Sequence, residues 1–600
     1  MKQINHKSEN SFWLKLCEKG IPGIVMAVIL GVFIQLKYQY HFFLKEQISF
    51  FAFDGQHILS YLNKPSFFSK LVADFISQFF YLRGTAAIIV PLLFLILYFS
   101  IKKVIQNFSD GSLGGFYALF PTILIIIFVF NVNTDLTYFI SFLLMLLLFE
   151  GYSLLPSKWW RSLVIFILIP FLYAAIGGLV SFLGILIFIY EIKNNSYFSL
   201  LRRMLTVFIL IFSLLVPLMF RYHYAISLSQ AFLYPVDYKL VSLGWILAPL
   251  FSLLIVILLA EIEDQQYFKL CLCLVSVAFI ILIVFGCYTH VNLNLEKLLA
   301  LDSEWYFGNI DKIYELENKY EYKSSAGACY CNLAHAARGE LADRFFDVHQ
   351  TGPQGLVLPI SNKGSYLPII FANEVYFYLG DVNASQHLAL LAMIFSSNHY
   401  SSRLLRRLIQ VNVINEEYKI AEKYLKILEK TLFHKKWAHN LLLMLNDNDE
   451  EKISYISWVR DKRLNVPTKE DLRQTNDCVK AFELLLERNP ENLDALHYKL
   501  CYHLLGKEVE AFANTFFQFR EILLRVRVPK LYQEALVIYY INKPDLELWS
   551  QIPVKPAILK KFIEYNNLYV HYQGEGRKLE KNFKNTYWFY YHYAKAEKEE

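Results

Sequence analysis

Long apolar runs dominate the first half of the chain and vanish from the second. They fall at about 21–37, 86–101, 116–132, 136–150, 161–176, 178–192, 203–219, 242–260 and 269–287. Crossing a bilayer takes roughly 17–25 such residues, so the pattern predicts about nine transmembrane helices, the fourth to sixth of them short. Gly177 and Gly178 interrupt an apolar stretch from Ser162 to Tyr190. One helix of that length would overshoot the hydrocarbon layer at about 1.5 Å per residue. Two short spans turning at the glycine pair are the better expectation.

Residues 1–20 are polar and basic, with Lys2, Lys7, Lys15 and Lys19, and the span that follows lacks a small-residue cleavage site, so it reads as a retained anchor. Between Lys37 and Thr85 the connecting loop is too long for a simple turn. Within it, Phe67, Phe68, Leu71, Val72, Phe75, Ile76, Phe79 and Phe80 recur in helical register, with Ser69, Lys70, Ala73, Asp74, Ser77 and Gln78 between them. That spacing predicts an amphipathic helix near 65–82, its aromatic face suited either to lipid headgroups or to the protein itself.

From 291 to 600 the pattern changes to polar-faced helices. Leu504–Leu505–Gly506 with Ala511 and Phe512, Tyr378–Leu379–Gly380 with Ala389 and Ala392, and Tyr418 with Ala421 and Leu425 share small-residue offsets. Weaker copies start near Gly308 and Gly339, and an interruption falls around 440–480. Stacked helix pairs of this kind bury a shared core. The expected fold is therefore all-α: a polytopic transmembrane domain over 21–290, then a TPR-like α-solenoid over 291–600. The aromatic run Tyr587–Tyr593 would cap the last repeat or touch the membrane surface.

Composition sharpens the division. Residues 21–290 hold 26 Asp, Glu, Lys and Arg, against 80 in residues 291–600. One half faces lipid and the other water, and the bilayer is the first partner. A net charge of +6 over 600 residues excludes a nucleic-acid partner of the usual basic kind. Lysines and arginines favour cytosolic loops. With a cytosolic N-terminus, 12 basic residues, among them Lys102, Lys103, Lys158, Arg161, Lys193, Arg202, Arg203 and Lys269, lie inside and seven outside. Nine spans would then put the C-terminal half outside the cytosol; an even number would reverse that.

No phosphate-binding glycine loop, His-Glu-x-x-His or Gly-x-Ser-x-Gly occurs. Cys329, Cys331 and His335 lack the fourth ligand of a zinc site, so no metal is expected; Cys478 and Cys501 could form a disulfide. The chemistry-bearing groups are ionisable residues in the loops of one face. Asp54 sits in Phe-Asp-Gly-Gln with His57 three residues on, Asp135 sits beside Asn131 and Asn133, and Arg221, His223, Asp237 and Lys239 lie among tyrosines. A carboxylate at this depth can act as a base, while Arg or Lys can hold a lipid phosphate. Each also has a structural alternative: Asp54–Gly55 as a turn, Asp135 as a helix cap, the cations as headgroup contacts.

The layout of many spans, a long first loop with an acid and an interfacial helix resembles the GT-C class of membrane glycosyltransferases. Fusion to outward-facing repeats is similar to the transmembrane-plus-TPR O-mannosyltransferases. That resemblance implies a transferase drawing on a polyprenyl-phosphate-linked donor at the outer face of a bacterial inner membrane. Asp54 and, more loosely, Asp135 would then be catalytic, with His57, Arg221, His223 and Lys239 against substrate. Through Tyr61–Pro65, Gly177–Gly178 and Thr586–Tyr590 the whole chain also resembles an uncharacterised family of bacterial multipass proteins with C-terminal TPR-like repeats. The competing expectation is a membrane-anchored TPR scaffold that binds protein partners and assembles an envelope complex.

Overall fold

The computed structural model describes residues 15–594 apart from 17, 110, 112, 157–158, 195–199, 238, 263–267, 361–365, 396–399, 447–449, 467–476, 526, 545–549 and 551. Lys2, Lys7, Cys17, Lys158, Tyr238 and part of the interruption around 440–480 lie outside the described residues. Every regular element among the described residues is a helix. The chain divides into two compact units, one reaching to Glu296 and including Lys430–Phe433, the other formed by Lys297–Glu429 and His434 onward.

Among the described residues, five helices are long and apolar enough to cross a membrane: Ala86–Gln106, Thr137–Leu154, Met204–His223 and Leu243–Glu261 in the first unit, and Phe268–Tyr306, which begins there. The bent pair Ile21–Lys37 and Gln39–Ile48 makes a sixth if counted as one span. Nine spans are not supported. Gly114–Val129 and Trp160–Ile176 are shorter, and Leu179–Asn194 has 16 residues, about 24 Å of helix against roughly 30 Å of hydrocarbon. The first of these is interior: nearly all of Leu119–Val129 is buried. Apolar content alone does not separate a span from a helix whose neighbours cover it all round.

The 82° bend after Lys37 follows from what comes next. Gln39–Ile48 carries His41, Lys45, Glu46 and Gln47, all buried, and such groups need partners in place of lipid. The Lys45 ammonium donates to the carbonyls of Asn131, at 2.9 Å, and Thr134. The Tyr40 and His41 amides donate to the Glu296 carboxylate at 2.7 and 2.9 Å. The Asn131 amide meets His290 at 2.7 Å. The end of the last apolar helix therefore lies at the same end of the unit as the first two loops. At the opposite ends of the helices, cations assigned to cytosolic loops are ion-paired: Arg161 with Glu191, Lys103 with Glu150 and Lys193 with Glu261.

The glycine pair breaks the helix as the sequence suggested, between Trp159–Ile176 and Leu179–Asn194. Gly177 has φ +71°, and a Cβ at Gly178 would stand 1.9 Å from the Phe232 carbonyl oxygen. The Gly178 amide donates to the Tyr234 carbonyl at 3.0 Å. Only hydrogen at Cα permits that approach.

A helix over Phe67–Ser77 occupies the long loop. Its small and polar edge is the buried one: Ser69, Ala73, Asp74 and Ser77 point inward, and the Ser69 hydroxyl donates to the Ala175 carbonyl at 3.1 Å. Phe68 and Phe75 are partly exposed, and Phe75 packs edge-on to Phe51, Phe53 and Phe79.

In the second unit, successive helices pack on one another through Tyr366–Leu379, Val382–Phe395, Ser402–Ile414, Tyr418–Leu428 and Lys435–Asn446. The terminal aromatic run packs inward. Tyr587 and Trp588 are fully buried, and the Trp588 indole donates to the Glu534 carbonyl at 3.0 Å.

Candidate functional site

Asp54 has extended backbone geometry and caps the short helix Gly55–Ser60, its carboxylate accepting the His57 amide at 3.3 Å. The second carboxylate oxygen takes the Lys430 ammonium at 2.7 Å, and that hydrogen bond holds the Asp54 carboxyl below its usual range. One turn on, the His57 ring sits edge-on to Phe50 and 3.3 Å from the Tyr61 hydroxyl. Burial lowers its pKa, so it is neutral near pH 7.

From Tyr61 a chain of polar contacts runs into the loop helix and across to the next loop. The Tyr61 hydroxyl donates to Asp74 at 2.9 Å. Lys70, one turn before Asp74, donates to Asp74 and Asp135, both at 2.8 Å. The other oxygen of Asp135 accepts the amide of Thr137, the first residue of the helix that follows, at 2.8 Å. Tyr234 from the third loop lies within electrostatic reach; burial pushes its hydroxyl up to about 12, and the charges of Lys70 and Asp135 act on it.

The two carboxylates that share Lys70 are not equivalent. Asp74 is wholly buried, whereas the Asp135 side chain is 27% exposed. Burial raises the Asp74 carboxyl and Lys70 does not fully offset it. At Asp135 burial also raises the carboxyl, but Lys70 and the Thr137 amide overcome this and leave it lowered. The two carboxyls are thereby pushed apart, Asp74 above and Asp135 below the usual carboxylate range.

The remaining candidates stand apart from this cluster. Arg221 lies over the Tyr222 ring at 4.9 Å, His223 is exposed against Phe220 and Tyr224, and Lys239 is exposed beside Asp237, which caps its amide at 3.0 Å. Lys70 and Asp74 were missed as site residues because their helical register assigned them to a polar face awaiting solvent. The signal that could have found them is the i, i+4 Lys–Asp spacing in so apolar a helix.

No group of three or more His, Cys, Asp or Glu could hold a metal ion among the described residues. His335 pairs with Glu317 at 2.9 Å, and the Cys329 thiol meets the Leu356 carbonyl. Cys478 and Cys501 are free thiols, not a disulfide. The second unit also holds a buried ionic cluster that the sequence reading passed over. Arg403 forks onto Asp302 with two bonds of 2.8 Å and reaches Glu374 at 2.9 Å, while Arg407 takes the other Glu374 oxygen at 2.5 Å.

Among the described residues, five or six apolar helices of membrane-crossing length place the chain among helical membrane proteins. More narrowly, it belongs to a family of unknown function, DUF6057, which it matches over residues 15–594. That match carries neither the glycosyltransferase nor the TPR resemblance. Comparison with curated proteins and with solved structures gave no match.

Proposed function

We propose that the protein is a membrane transferase that draws a group from a polyprenyl-phosphate-linked donor, with Asp135 as the base that takes a proton from the acceptor. The observation that supports this reading is the Asp74–Lys70–Asp135 bridge, which joins the first and second loops at one end of the unit and leaves Asp135 ionised and partly exposed. Asp54 fits the base less well, because a helix amide and Lys430 occupy its carboxylate. His57 and Tyr61 extend the bridge as a hydrogen-bonded path for protons; Arg221, His223 and Lys239 would meet lipid phosphate only outside it. The setting proposed is a bacterial inner membrane with the N-terminus in the cytosol and the C-terminal unit outside it.

Native mass spectrometry of the protein extracted in mild detergent tests this. A polyprenyl-phosphate lipid should co-purify, and Asp135→Asn should raise its sugar-bearing fraction by blocking discharge. Ordinary phospholipids alone, identical in wild type and variant, would overturn the transferase reading. The second reading, a TPR-like scaffold for an envelope complex, draws on the sequential packing of helices between Tyr366 and Asn446. It would be favoured by a stoichiometric crosslinked partner.

A further inference from the structure

A cavity of about 250 Å³ opens in the second unit, with Arg403, Arg406, Arg407 and Lys462 on its polar side and Trp305, Tyr306, Phe377 and Tyr378 on its aromatic side. Three of the four cations are committed. Arg403 is held by Asp302 and Glu374, and Arg407 by Glu374, Asn373 and Gln410. The Lys462 ammonium donates to the Tyr378 carbonyl with Asp494 close by.

Arg406 is different. Its guanidinium lies over the rings of Trp437 at 4.8 Å and Tyr306 at 5.8 Å, and it makes no hydrogen bond or ion pair among the described residues. Asp302, Glu374 and Asp494 are thus engaged by the other three cations, and Arg406 remains a half-buried, stacked guanidinium whose donors meet no acceptor among the described residues. A planar fork of donors suits a carboxylate or phosphate. The aromatic walls suit the apolar face of a ring, and the half-buried Gln410 alongside suits a hydroxyl.

We infer that this cavity is a binding site for a small sugar carrying a single carboxylate or phosphate, with Arg406 as the anion contact and Tyr306 and Trp305 against the ring. The volume admits one or two rings and excludes a folded partner. The inference stands whether or not the membrane unit is a transferase, since no residue is shared between the two sites.

Isothermal titration of the full-length protein in detergent, near neutral pH, tests it with glucuronate, glucose 6-phosphate, glucose and inorganic phosphate as probes. Glucuronate or glucose 6-phosphate should bind saturably at millimolar concentrations or below, and glucose about tenfold or more weaker. Arg406→Ala should weaken the charged sugar about tenfold, the loss of one charge-assisted contact. Its melting temperature should fall by no more than a few degrees, because Arg406 gives up ring stacking but no ion pair among the described residues. Tyr306→Leu should weaken the same ligand without restoring glucose. Failure of both charged sugars to bind would overturn the proposal, as would unchanged affinity in Arg406→Ala. Inorganic phosphate binding as tightly as the sugar phosphate would overturn the sugar assignment.

Discussion

Glu374→Gln is the sharpest probe of the second unit's ionic cluster. The carboxylate is buried and receives Arg403 and Arg407 on its two oxygens, as well as the Trp305 indole at 3.2 Å. Burial alone would raise the carboxyl, yet Arg407 and Arg403 outweigh it and hold the pKa at about 2, down from 4.5. That displacement corresponds to about 3 kcal/mol favouring the charged form. It agrees with the roughly 3–5 kcal/mol lost when one partner of a buried ion pair is removed. Glutamine keeps the volume and an acceptor for Trp305 but leaves two buried guanidiniums with one carboxylate between them. Amide hydrogen exchange of the full-length protein in detergent reads this locally. Protection in Tyr366–Leu379 and Ser402–Ile414 should fall about a hundredfold, the equivalent of about 3 kcal/mol. The acid dependence carries the sign. A carboxyl lowered in the folded state stabilises above its unfolded value, and that stability drains away as pH falls toward the folded one. The gap between wild type and variant should therefore be full near neutrality and narrow as pH drops from about 4.5 toward about 2. A change under about twofold, or a gap indifferent to acid across that window, would refute the assignment of Glu374 as the charge that holds both arginines.

Two further outcomes follow from the geometry. Gly178→Ala places a methyl group 1.9 Å from the Phe232 carbonyl oxygen, a backbone atom that cannot step aside; the variant should lose its monodisperse peak in detergent gel filtration, and a normal peak would show that the turn is not packed this way. Burial pushes the Cys329 and Cys501 thiols up to about 12, so N-ethylmaleimide should leave both unmodified in the folded protein and label them after denaturation. Stoichiometric labelling of either under native conditions would contradict their placement.

The helical character of the whole chain was readable because periodicity survives in both halves: continuous apolar runs in one, polar-faced helices in the other. The glycine pair was readable for a related reason, since an apolar stretch too long for one span has to turn somewhere and Gly177–Gly178 is where a positive φ costs nothing. The number of spans was not. Leu119–Val129 and Ala86–Gln106 look alike as composition, and only packing distinguishes a helix buried on nearly all sides from one half covered by its neighbours.

The candidate site was legible in a different proportion. Sequence reading nominated Asp54, His57 and Asp135, and the structure places all three along one path of polar contacts in the first unit. It could not see that Lys70 and Asp74 form the middle of that path, because the link from Lys70 to Asp135 spans 65 residues of chain. Arg403 and Asp302 meet across 101 residues, and nothing local at either position announces it. A charge in a sequence is read by default as a solvated face, since an unpaired charge is too costly to bury. Pairing removes that cost without leaving a mark in the neighbouring residues. The groups most able to carry chemistry in this protein, the buried and compensated ones, are for that reason the ones whose partners the order of residues conceals, while Arg406, stacked on aromatic rings and without an ion pair among the described residues, stands out solely once its neighbours are seen to be spent.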